Sequence, residues 1–189
     1  EEDVQSFGSE RKPDLPSGLE EYFLPNNITL STAARTSPRS LGADTKELGI
    51  LYRPTLLVQA VTRYMKRTYN LDYEKTHTAL VLELASRGRV PWEEWLIGDL
   101  EPRNMDRGPV PGARFAPLDE PLTDKTGVKG LETDFKDWIY YEGKIKVRAH
   151  EELDIYAGPN VPEADFRKEV EEAARKEMEE EIDKEEESV

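Results

Sequence analysis

Residues 53–90 constrain this chain more than any other stretch, because two apolar-periodic segments follow one another there across a polar break at Asn70 and Asp72. In the first, Leu56, Leu57, Ala60, Val61 and Tyr64 keep the i, i+1, i+4, i+5, i+8 spacing of one helical face. That spacing predicts a helix opening at Arg53 or Pro54, since a proline's missing N–H would be unpaired in the first turn anyway. Arg63, Lys66 and Arg67 fall toward its end, where cations suit the helix dipole. The second predicted helix covers about residues 73–87. Ala79, Leu80 or Val81, Leu82, Leu84 and Ala85 form its apolar stripe, and Gly88 is its C′ residue. Trp92, Trp95, Leu96 and Ile97 predict a short third helix over 93–98.

Composition decides how large a core to expect. The chain has 189 residues, of which 37% are apolar and 35% charged, with a mean hydropathy of -0.75. This lies below the ~45–50% apolar content of typical globular domains, so a modest core with segments that order against a partner is expected. The net charge of -14 is unevenly spread. Residues 1–50 carry -4, residues 51–90 carry +4 and residues 91–189 carry -14. An acidic chain is poorly suited to general duplex binding, which needs cationic surface. Having no cysteine excludes disulfides, thiolate zinc sites and cysteine nucleophiles. No run approaches the ~20 apolar residues of a transmembrane helix. A chain opening on Glu1 is expected to have been processed, and removal of an organelle transit peptide is one cause.

The expected organisation has four parts. Residues 1–50 form an extended N-terminal arm broken by Pro13, Pro16, Pro25 and Pro38. A short turn over 18–23 docks Leu19, Tyr22 and Phe23, and 31–40 are linker-like. Residues 51–98 form the helical core. Residues 99–162 form a proline-rich arm with a hairpin over 138–148. There Ile139, Tyr141, Ile145 and Val147 alternate with polar neighbours, and Glu142-Gly143 turns the chain. A lone hairpin needs a surface to lie on. Residues 163–189 form an acidic tail, helical over 169–184, with pairs such as Glu171–Arg175 and Glu172–Lys176. The expected fold class is mainly α: a small helical core, a short β-hairpin and long irregular extensions.

Chemistry-bearing patterns are sparse. His77 and His150 lack partners at metal-ligand spacing, and no nucleophile elbow or phosphate loop is present. Asp119, Glu120 and Asp124 can be drawn as a carboxylate pair, but 40 acids produce such pairs by chance. Arg87-Gly88-Arg89 reads equally as a helix cap with flanking cations. The aromatics Tyr22, Phe23, Trp92, Trp95, Trp138, Tyr140 and Tyr141 read as contact residues, with burial in this chain the competing reading for Trp92 and Trp95.

The helix pair resembles the core of the omega subunit of bacterial-type RNA polymerase. The family's first helix has the form R-x-x-L-V-x-x-A-A-x-R, against which stand Arg53, Leu56, Leu57, Ala60, Val61 and Arg63. Its second helix is matched by Thr78, Leu82, Gly88, Arg89 and Val90, and the likeness spans about residues 50–97. His77 stands where the family usually has proline. The acidic extensions make the whole similar to the omega-like accessory proteins of the plastid-encoded polymerase. The resemblance implies a non-catalytic subunit that clasps the largest catalytic subunit, meets neighbouring accessory subunits and supports assembly. It implies a place in the plastid stroma and nucleoid, nucleic acid reached only through the complex, no membrane, no cofactor or metal, and no homo-oligomer. Its partner-binding residues would be Arg53, Leu56, Leu57, Ala60, Arg63, Thr78, Leu82, Gly88 and Arg89, joined by Trp138, Tyr140 and Tyr141 of the expected hairpin. The alternative is an acidic assembly subunit of another organelle complex, ribosomal or respiratory.

Overall fold

Leu56–Lys66 and Leu71–Val81, expected as helices, are strands. A computed structural model describes residues 8–25, 32, 49–85, 88–98 and 100–187. Apart from Thr32, the linker-like stretch 31–40 lies outside these residues, as does Arg87. Strand β1 is Leu51–Tyr52, β2 is Leu56–Lys66 and β3 is Leu71–Val81. The apolar positions read as a helical face also fit a period of two. Ala60, Thr62 and Tyr64 turn inward, while Val61, Arg63 and Met65 face out. Val58, Val61, Thr62, Tyr64, Tyr73, Thr76, Thr78 and Val81 are β-branched or aromatic, and that content favours the strand. β2 and β3 are joined by a 3-10 turn over Arg67–Tyr69 and by Asn70, which sits at φ 45° and ψ 35°. Asparagine tolerates this left-handed conformation.

The mainly α class is therefore corrected to a mix of α and β. Three helices accompany three small sheets among the described residues. Helix α1, Trp92–Trp95, is a single turn, and the chain continues into strand β4, Leu96–Ile97. β4 pairs antiparallel with β3 through Thr78↔Ile97 and Ala79↔Leu96, so the sheet order is β2-β3-β4. The expected third helix over 93–98 is thus one turn followed by a strand. Strand β5, Arg114–Phe115, pairs parallel with β1.

Residues 138–148 are not a hairpin. Helix α2 runs Lys125–Glu142, and Gly143 ends it by donating its N–H to the Ile139 carbonyl at 2.8 Å. Val128, Leu131, Phe135 and Ile139 recur at three- and four-residue intervals and form the inward stripe of α2. Asp124 caps the helix: its Oδ1 accepts from the N–H groups of Thr126 at 2.7 Å and Gly127 at 2.8 Å. Strands β6, Arg148–His150, and β7, Ile155–Ala157, make a true hairpin further on. It turns as β2–β3 does, by a 3-10 turn over Glu151–Leu153 and a left-handed Asp154 at φ 52°. Helix α3, Glu163–Glu187, occupies the acidic tail. The ion pairs that close along it run Arg167–Glu163, Lys168–Glu172, Arg175–Glu179 and Lys176–Glu180.

The chain divides into two units. The first comprises Glu1–Val58 and Thr78–Lys136, the second Gln59–His77 and Asp137–Val189. In the first, Phe23 meets the Tyr52 ring edge-on at 5.1 Å, and Tyr52 stacks on Phe115 at 5.9 Å. The backbone of Phe23 is bonded to Asp106 in both directions at 2.8 and 2.9 Å. The turn expected to dock Leu19, Tyr22 and Phe23 thus buries Phe23 within its own chain. Trp92, 1% exposed, packs on Phe135 at 4.8 Å and donates its indole N–H to Asp134 at 3.0 Å. In the second unit Tyr69 stacks on Tyr156 at 4.6 Å, which ties the tip of the β2–β3 hairpin to β7.

Candidate functional site

The expected contact residues are divided between the two units. Arg53, Leu56, Leu57, Thr78, Leu82, Gly88 and Arg89 belong to the first unit, and Ala60, Arg63, Trp138, Tyr140 and Tyr141 to the second. Thr78 is buried in the first unit, where β3 pairs with β4. Leu56 and Leu57 are half-buried, whereas Leu82 projects into solvent. Gly88 caps no helix, since β3 ends at Val81; it lies in a loop at φ 107°. Arg63 is clamped to Asp72 on the neighbouring strand by two hydrogen bonds, one of 2.7 Å from Nε. This clamp holds the Asp72 carboxyl below the usual carboxylate range.

The last turn of α2 carries the most exposed aromatic surface among the described residues. Tyr140 is 83% and Tyr141 66% exposed, and their rings meet edge-on at 5.2 Å. Ile139 between Trp138 and Tyr140 is buried, so the turn is anchored on one side and bare on the other. On the outer face of β2, Val61 and Met65 are also exposed.

A second feature belongs to the same unit. Tyr73 and Lys75 share one face of β3, and Lys144 and Lys146 alternate with Ile145 and Val147 along the irregular segment after α2. With Arg148 and Pro159 they line an open groove of about 480 Å³. Four cations and no carboxylate form its wall. Arg148 donates to the Val161 carbonyl at 2.9 Å. Lys75, Lys144 and Lys146 are in no ion pair among the described residues. Sequence reading missed this groove because its walls lie far apart in the chain. The available signal was Lys144 and Lys146 spaced by one apolar residue.

The polar residues singled out for chemistry have structural work. Asp119 accepts the Leu84 backbone N–H at 2.9 Å, and Asp124 caps α2, so the carboxylate pair dissolves into two backbone contacts. His77 is buried, with Nε2 3.5 Å from the Tyr64 hydroxyl, which itself donates to the Gly143 carbonyl. Burial, and then the charge of Lys75, push the His77 pKa down. Burial likewise raises the Tyr64 phenol. His150 lies in β6 and pairs with Ile155. No group of three or more metal-ligating side chains occurs among the described residues. No helix among them is long and apolar enough to cross a membrane. In comparisons with protein-family models, curated proteins and solved structures, nothing matches this chain.

Proposed function

We propose that the chain is a non-catalytic interaction module that lends contact surface to a larger assembly. One observation carries the reading: Tyr140 and Tyr141 stand side by side in solvent on a helix turn anchored by Ile139. Large aromatics cost solvation when bare and contribute strongly when a partner covers them, which is why they concentrate at binding hot spots. A rigid helix end presents them at little entropic cost on association.

A multisubunit RNA polymerase of the plastid type is the assembly implied by the omega resemblance. The residues that carry the resemblance were expected on two helices and lie on β2, β3 and the loops beside them. The broader class is therefore proposed, and the assembly is left to experiment. Tagged wild-type chain and a Tyr140→Ala/Tyr141→Ala variant are used for quantitative capture from native extract. The expected result is a fixed-ratio complex with wild type and about a tenfold or greater loss with the variant, as removal of hot-spot aromatics produces. Catalytic polymerase subunits in that complex would select the polymerase, and ribosomal or respiratory subunits the alternative. Equal recovery by both chains would contradict the proposal.

A further inference from the structure

The groove lined by Lys75, Lys144, Lys146 and Arg148 has no part in the tyrosine surface, and its chemistry points to a different ligand. Acidic side chains outnumber basic ones 40 to 26 in this chain, yet the groove wall holds four cations and no acid. Such segregation costs folding energy through like-charge repulsion, and an anion bound among the cations relieves it. We infer that the groove is a binding site for a small oligophosphate ligand, one carrying two or more clustered phosphates.

Three observations fix the class. The cavity, about 480 Å³, falls within the ~300–1,000 Å³ of ordinary small-ligand sites. Lysine ammonium groups bind phosphate as point charges and demand no planar geometry, which suits side chains reaching in from two separate segments of the chain. The chain beyond the groove turns acidic. Arg148 also lines a neighbouring hollow with Glu163 and Arg167, which pair with each other, and residues 163–189 hold 13 acids against 5 bases. Electrostatic effects at the surface decay over about 8 Å at physiological ionic strength. A compact oligophosphate sits within the field of the four cations, whereas a long polyanion runs on toward acidic surface. The apolar side chains of Ile145, Val147 and Pro159, with the Tyr73 ring, give room for a non-phosphate portion.

The test is calorimetric titration of the full chain with inorganic tripolyphosphate and with ATP, without divalent cations and at low ionic strength. Saturable binding near one site per chain is expected. Lys144→Glu/Lys146→Glu should weaken it at least about tenfold, the scale of losing charge-assisted contacts. Lys66→Glu/Arg67→Glu, at the hairpin tip of the same unit, should change it by less than about twofold. Equal affinity for the two probes would show that phosphates alone are recognised. Tighter ATP binding would add a ring contact, and either result supports the site. Four findings would each overturn it: no saturation with either probe, equal weakening by both variants, equal displacement by polyglutamate, or binding of a single-stranded oligonucleotide only. Circular dichroism of both variants, whose altered side chains are all exposed, separates loss of binding from loss of fold.

Discussion

His77 is the side chain whose surroundings most directly set a solution property. It is 5% exposed, beside Tyr64 and near Lys75, and both burial and that charge disfavour its protonated form. Its pKa is lower in the folded chain than the ordinary value of 6.5, so the unfolded chain binds the extra proton first. Stability from this residue is complete above pH 6.5 and is lost as pH falls from there through the lowered folded value. The slope is at most about 1.4 kcal/mol per pH unit. Urea midpoints measured between pH 7.5 and 5.5 should fall for wild type, and His77→Gln should flatten the profile. A profile of equal slope in the variant would remove His77 as the cause. The carboxylates with lowered pKa, Asp72 and Glu132, act in a more acidic window and do not mask it. At this scale the sequence was partly legible. His77 reads as structural near the start of a predicted helix, but the strand that buries it and its tyrosine partner on the neighbouring strand come only with the fold.

Among the elements, α2 shows most clearly what governs this fold. Its first turns carry two glycines, an unfavourable composition offset by the Asp124 cap and the Phe135 and Ile139 stripe. The glycines differ in kind. A Cβ on Gly127 would overlap the backbone carbonyl of Pro121, while one on Gly130 would meet nothing. Gly130→Ala should therefore stabilise the chain by roughly 0.5–1 kcal/mol, as helix propensity dictates. Gly127→Ala should destabilise it despite the same propensity, and Asp124→Ala should cost about 1 kcal/mol. Chemical denaturation followed at 222 nm checks all three, and a stabilising Gly127→Ala would refute the close approach. These details explain why element types were hard to read. Leu56, Ala60 and Tyr64 satisfy both helical and strand periods, so the β-branched content had to arbitrate. Ile139-Tyr140-Tyr141 mimics a strand, and only the spacing back to Leu131 and Phe135 shows a helix. The tail was legible because a run of glutamate, alanine and basic residues has no competing strand pattern.

For the molecule as a whole, two units each keep an aromatic centre of their own: Phe23, Tyr52 and Phe115 in the first, Tyr69 and Tyr156 in the second. What remains bare is then informative. Tyr140 and Tyr141 read as contact residues of a hairpin unable to build its own core, whereas they stand exposed on the last turn of a helix. The lysine groove was not legible, since only folding brings residues 73–75 beside residues 144–148. As an interaction module, the chain would have Tyr140 and Tyr141 covered by its partner. Hydroxyl-radical footprinting of the free chain and of the captured complex tests it most directly, with Met178, 60% exposed on α3, followed in the same digest. Strong oxidation of both tyrosines in the free chain and protection of both in the complex are expected. Equal oxidation of Tyr140 and Tyr141 in the two states would contradict it.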